Sequence, residues 1–164
     1  MSFEELNRTD AKEIPVGNLL YMIGRGYSMY LNHNIAEFGI NTTQLHLLFE
    51  ISNQSDINQE NIAKRCSINK GAVARSIKKL EDNGLVVRQI DENNRRQNKL
   101  ALTEKGKDIL EKSTKVLDSW EDAVILDDGY IKKELLQKVL KEIAIKTMEL
   151  NQEDCKNGLK KQKY

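Results

Sequence analysis

A glycine, an alanine and two long cations share one side of a short run in this chain. Together they can donate hydrogen bonds to oxygen acceptors at close range. The run is Asn69-Lys70-Gly71-Ala72-Val73-Ala74-Arg75-Ser76-Ile77-Lys78-Lys79-Leu80. Val73, Ile77 and Leu80 recur at i, i+4 and i+7, so they form one helix face. At about 100° per residue, Gly71, Arg75 and Lys78 fall nearly opposite them, with Ala74 alongside. A guanidinium is a rigid fork of donors that fits a guanine edge, whereas an ammonium is a point charge suited to phosphate. Small residues at 71 and 74 let the helix approach a groove wall. Asn69 is a good N-cap, and Gly84 is a good terminator at C′.

The neighbouring stretches position that helix. Asn58 reads as the N-cap of a shorter helix with Ile62 and Ala63 turned inward, and Ser67-Ile68-Asn69 reads as a tight turn. Two short helices joined this way make a helix-turn-helix. The period then changes from 3.6 to 2 through Leu85-Val86-Val87-Arg88-Gln89-Ile90. A polar loop, residues 91–98, follows, and Lys99-Leu100-Ala101-Leu102 returns. That pattern predicts a β-hairpin held against the helices by Leu85, Leu100 and Leu102. The hairpin is a wing whose tip carries Arg95 and Arg96, suited to phosphates or a narrow minor groove. Between Asn69 and Lys99 there are eight cations against four anions, although the whole chain is only +1. A local basic face on a near-neutral protein is the footprint of a DNA reader. Asn69 and Lys70 would meet the backbone at the helix start. Gly71, Ala74, Arg75 and Lys78 would face the major groove, with Lys79 and Arg88 on flanking phosphates.

These residues carry a family resemblance. Gln59-Glu60-Asn61-Ile62-Ala63, the run from Val73 to Val86, Asp91 with Arg95-Arg96, and Leu102-Thr103-Glu104-Lys105-Gly106 resemble regulators of the MarR type, as does Phe38-Gly39-Ile40-Asn41-Thr42-Thr43-Gln44. The resemblance implies a mainly α fold with a small β-hairpin. A winged helix-turn-helix over residues 39–103 would lie between an N-terminal dimerisation helix, 1–38, and C-terminal dimerisation helices with a basic tail, 104–164. It implies a homodimer on double-stranded DNA that acts as a repressor. One departure is Asn94 before Arg95-Arg96, where the family usually has an aspartate that would orient the wing arginine.

In chain order, residues 1–10 are polar and expected to be loose. A helix is expected to begin near Glu13 with Pro15 in its first turn and to end at Gly39. A second should run from about Thr43 to Asn53, capped by Asn41 or Thr42. A long one should run from Glu104 to about Leu126, with Thr103 as N-cap, and a last one from about Tyr130 to Leu150 before a fraying tail. The outer helices carry apolar stripes that a lone copy would leave half bare, which argues for a two-fold dimer. Its paired recognition helices would sit roughly 34–36 Å apart, on a pseudo-palindromic operator.

Tyr21, Arg25, Tyr27, Tyr30 and His33 cluster in the first long helix. Arg25 could pair with a carboxylate while the tyrosines stack on a ring, giving a site for a small aromatic or phenolic acid. In proteins of the resembling family such ligands bind between this helix and the DNA-binding domain. The alternative is that the rings fill an ordinary joint between helices. His33 and His46 are the only histidines, and Cys66 and Cys155 have neither disulfide nor metal spacing, so no metal and no cofactor are expected. A redox-sensing branch of the resembling family uses a cysteine in its first long helix, and neither cysteine here lies in that helix. No glycine-rich phosphate loop or nucleophile motif occurs, so the chain does not read as an enzyme. Without an apolar run of membrane length or a leader-like N-terminus, it reads as cytoplasmic and free of membrane. The competing reading is a winged-helix module that binds protein without specific DNA binding.

Overall fold

The structure is a computed structural model that describes residues 2–54, 57–66, 68–90, 98–125 and 132–161, with the backbone alone at 3, 90 and 153–161. The helices are α1 (Phe3–Arg8), α2 (Val16–Ile35), α3 (Thr42–Asn53), α4 (Gln59–Arg65), α5 (Lys70–Asp82), α6 (Glu104–Val124) and α7 (Lys133–Lys161), with the hairpin β1 (Val86–Ile90) and β2 (Asn98–Leu102) between α5 and α6. The mainly α winged helix-turn-helix expected from the sequence is therefore present. The chain divides into two compact units, Met1–Trp120 and Glu121–Tyr164.

In the first unit, the helices other than α2 begin where a side chain can satisfy a free backbone donor, whereas α2 follows Pro15, which offers no side-chain cap. Asn41 and Gln44 form a reciprocal capping box at α3, the Asn58 side chain accepts from the Asn61 amide, and that of Asn69 accepts from the Gly71 amide. Ile35, Leu47, Leu48, Ile62, Ile77, Leu80 and Leu85 are almost completely buried in one core. Val73, Ile77 and Leu80 are the buried side of α5, as their spacing predicts. In the antiparallel hairpin, Val86 pairs with Leu102 and Arg88 with Leu100. Residues paired in this way share a face, and here that face reaches the core. Val86 is therefore buried alongside Leu85 and Leu100. The Leu100 amide donates to the Ile57 carbonyl at 2.9 Å, tying the wing to the chain ahead of α4.

A knot of backbone contacts joins α5, the wing and α6. Gly84 takes φ +69° to end α5, and the Leu85 amide reaches back to the Leu80 carbonyl. Thr103 donates its amide to the Leu85 carbonyl and its hydroxyl to the Gly84 carbonyl, and that hydroxyl accepts from the Gly106 amide at 3.0 Å. Thr103 is thus both wing end and cap of α6. Gly106 faces the Leu85 backbone so closely that a Cβ there would run into the Leu85 carbonyl oxygen.

Three expectations need correction. The polar N-terminal stretch contains a helix over residues 3–8: Ser2 and Glu5 form a capping box that starts α1. Pro15 is the N-cap of α2, which begins at Val16 after a separate 3-10 turn, Ala11–Glu13, capped by Asp10. The last helix does not stop at Leu150; its backbone is helical to Lys161. Polar composition predicted fraying there, but residues 151–157 hold no proline or glycine to break the helix. In the second unit, Lys133 pairs with Glu121 at 2.8 Å, and Leu135, Val139, Leu140, Met148 and Leu150 are exposed along α7.

Gly106→Ala should therefore destabilise the first unit more than a helix-interior alanine normally would. Added bulk in a packed site costs about 1–3 kcal/mol, and here the obstacle is backbone. Urea denaturation should show a lower midpoint, whereas Gly17→Ala, with open space at its Cβ, should leave it unchanged or raised.

Candidate nucleic-acid interface

The outward face of α5 consists of Gly71, Arg75, Lys78 and Lys79, all exposed, with Ala74 half-buried beside them. Gly71 lies 3.1 Å, by a hypothetical Cβ, from the Asn69 side chain that caps the helix. A larger residue would crowd that cap. The sequence placed these groups on one face because the three buried anchors fix the rotation of α5.

Sequence spacing does not reveal which cations are already engaged. Lys78 pairs with Asp82 at 2.7 Å, and that hydrogen bond raises the pKa of the lysine. Lys70 reaches back to Glu60 on α4 at 2.9 Å, and the resulting hydrogen bond holds the Glu60 carboxyl below its usual range. Both pairs are well exposed, so each contributes little, and water or a phosphate can replace either partner. Arg88 is more enclosed: its guanidinium donates to Glu81 at 2.7 Å and to Gln59 at 3.4 Å, bracing β1 against α5 and the start of α4. The sequence listed Arg88 with the phosphate contacts; the fold gives it an internal partner because Arg88 lies on the core-side face of the hairpin. Among the described residues, Arg75 and Lys79 have no carboxylate within ion-pair reach. Arg95, Arg96 and the Asn94 replacement lie outside the described residues.

The aromatic cluster of α2 does not assemble as one site. At about 100° per residue, positions 21, 25, 27, 30 and 33 spread around the whole helix. Tyr21, Arg25 and His33 are exposed, and Tyr30 is half-buried. Tyr27 packs against Trp120 with ring centroids 4.5 Å apart and the rings tilted by 58°, and it alone of the five lines a cavity of about 280 Å³. Ser28, Leu31, Thr42, Leu45, His46, Phe49 and Leu117 complete that cavity between α2, α3 and α6. The missed lining residues lay at helical spacing on two facing stripes, which read as core.

Cys66 and His46 also meet in a way their sequence separation hides. A nitrogen of His46, a carboxylate oxygen of Glu50 and the Cys66 sulfur all lie within 4.8 Å of one another. Burial pushes the Cys66 thiol pKa up, and the nearby Glu50 charge adds to that effect. Chain spacing alone does not bring these three groups together; the approach of the end of α4 to α3 does. Among the described residues, no helix is long and apolar enough to cross a membrane.

A family model described as the MarR family matches residues 40–97. The HTH-type transcriptional regulator BilQ of Clostridium symbiosum (strain WAL-14163) is 26% identical over 99 residues, which are 60% of this chain and 69% of BilQ. The crystal structure of MarR matches with a TM-score of 0.76 at 27% identity, over 89% of this chain and 99% of that one. The crystal structure of the S. aureus MepR–DNA complex matches with a TM-score of 0.71 at 20% identity, over 85% of this chain and 99% of that one, a likeness of fold.

Proposed function

This chain belongs to the MarR family, and on that premise we propose that it is a sequence-specific DNA-binding transcriptional regulator, a homodimeric repressor at a pseudo-palindromic operator. The observation that carries this reading is the outward face of α5. It places Arg75 and Lys79, which have no carboxylate partner among the described residues, beside close-approach Gly71, opposite a fully buried Val73–Ile77–Leu80 stripe. A helix held so rigidly on one side and so cationic on the other is suited to a major groove.

In this reading Arg75 makes the bidentate contact to guanine, and Ala74 and Gly71 permit close approach. Lys78 exchanges its surface pair with Asp82 for a phosphate. Asn69 and Lys70 meet the backbone at the start of α5, and Lys79 meets a flanking phosphate. Arg88 acts mainly as the brace that sets the wing angle, and Arg95 and Arg96 supply the wing tip. The dimer reading is supported by exposed Val16, Leu20, Ile23 and Met29 on α2 and by the bare apolar residues of α7. Surface of that kind along long helices is normally covered by a partner. The cavity behind Tyr27 suits a single-ring aromatic acid. Leu31, Leu45, Phe49 and Leu117 form its apolar walls, and Ser28, Thr42 and His46 supply polar atoms. A ligand there releases DNA only in so far as it favours an arrangement of α2, α3 and α6 different from the DNA-bound one.

Selection from a random duplex pool should yield a pseudo-palindromic site. On that site Arg75→Ala should cost about 1–3 kcal/mol and relax preference at one base pair, while Lys79→Ala should reduce the salt slope by about 1. An unenriched pool would favour the protein-interaction alternative. Sedimentation should give a dimer, and Ile23→Asp should weaken it together with operator affinity; a monomer that still binds at full strength would refute the paired arrangement. Phenolic acids should raise the melting temperature and weaken operator binding, and Ser28→Phe should abolish both responses while leaving ligand-free binding intact.

A further inference from the structure

We propose that His46, Glu50 and Cys66 form a binding site for a borderline divalent cation of the zinc class. His46 and Glu50 stand one turn apart on α3, and Cys66 is the C-cap of α4 with its amide bonded to the Ile62 carbonyl at 2.9 Å. Two separate elements therefore present an imidazole nitrogen, a carboxylate oxygen and a thiol sulfur within 4.8 Å of one another. With bonds of about 2.0–2.3 Å, a tetrahedral zinc ion needs its donors roughly 3.3–3.6 Å apart. The set must contract by about 1 Å, and His46, which is exposed, has side-chain rotamers free to take part in that movement.

The donor chemistry selects the ion. One thiolate and one imidazole favour zinc, cobalt or nickel over magnesium or calcium, which prefer all-oxygen sites. Three protein donors leave the fourth position to water. Glu50 is mostly enclosed, and one of its oxygens accepts from the Arg65 Nε–H at 2.8 Å. Its second oxygen remains for a cation, so Arg65 acts as the hydrogen-bonded support that metal-binding carboxylates usually have. Binding replaces the S–H proton of Cys66, released to solvent, with a metal–sulfur bond. The ion would cross-link α3 to the residue that leads from α4 toward α5, stiffening the helix-turn-helix at its turn.

The test uses the full-length, reduced, metal-free protein with cobalt(II) as optical probe and zinc as competitor. One equivalent of cobalt per chain should produce a thiolate-to-cobalt charge-transfer band that zinc abolishes, and zinc should raise the melting temperature. Cys66→Ser should lose the band and the zinc shift while keeping the wild-type far-ultraviolet circular dichroism, and Cys155→Ser should keep both responses. Glu50→Gln and His46→Gln should each weaken zinc binding at least tenfold. Absence of the band at one equivalent, its survival in Cys66→Ser, or its dependence on Cys155 would overturn the site. None of these readouts involves DNA, so their failure leaves the operator-binding reading untouched, and the reverse also holds.

Discussion

The approach of the Gly106 backbone to the Leu85 carbonyl is the constraint on which the remaining geometry depends. That carbonyl lies where three elements meet: the end of α5, the start of the wing and the first turn of α6. Any side chain at position 106 would force α6 away from the wing base, and the Thr103 hydroxyl could then no longer serve Gly84 and Gly106 together. Buried backbone groups need partners, so the loss would spread through several hydrogen bonds. α5 is aimed by what happens at its far end, some three turns from Asn69.

Aim alone does not make a usable cationic face. Lys70, Lys78 and Arg88, on or near α5, each stand between an internal carboxylate and an external anion. Where the pair is well exposed, as for Lys78 with Asp82 and Lys70 with Glu60, screening by water keeps the internal bond weak and exchangeable. Where the pair is enclosed, as for Arg88 with Glu81, it works as a strut. Similar chemistry at three positions thus divides into brace and contact according to solvent access. In the proposed reading this division separates the residues that shape the reading head from those that touch DNA.

The cavity and the His46–Glu50–Cys66 cluster share His46 on α3, the helix that links the recognition unit to the long N-terminal helix. α3 packs on α2, α5 and β2. Anything that shifts α3 is therefore felt at both ends of this unit. A ring held between α2, α3 and α6 and a cation held between α3 and the end of α4 would act on the same helix from two directions. Each would bias DNA affinity only by binding one arrangement of that helix better than another.

Apart from α1, the start of α2 and the end of α7, the one-dimensional pattern of the chain determined which segments are helix or strand, where α3, α4, α5 and α6 are capped, and which side of α5 is buried. Those properties depend on neighbours within a turn or two: Val73, Ile77 and Leu80 at helical spacing, Asn41, Asn58 and Asn69 at caps, and alternation through 85–90. It also indicated that Arg75 and Lys78 face outward, because burying one side of a helix decides the other. Tertiary structure alone decided that Lys70 reaches Glu60, that Arg88 is braced by Glu81, and that Tyr27 is the member of the α2 cluster that lines the cavity between α2, α3 and α6. It alone brought Cys66 to His46 across twenty positions of chain. These outcomes depend on distances between elements, set by side-chain packing and backbone contacts such as Gly106 on Leu85, and no local period encodes such distances.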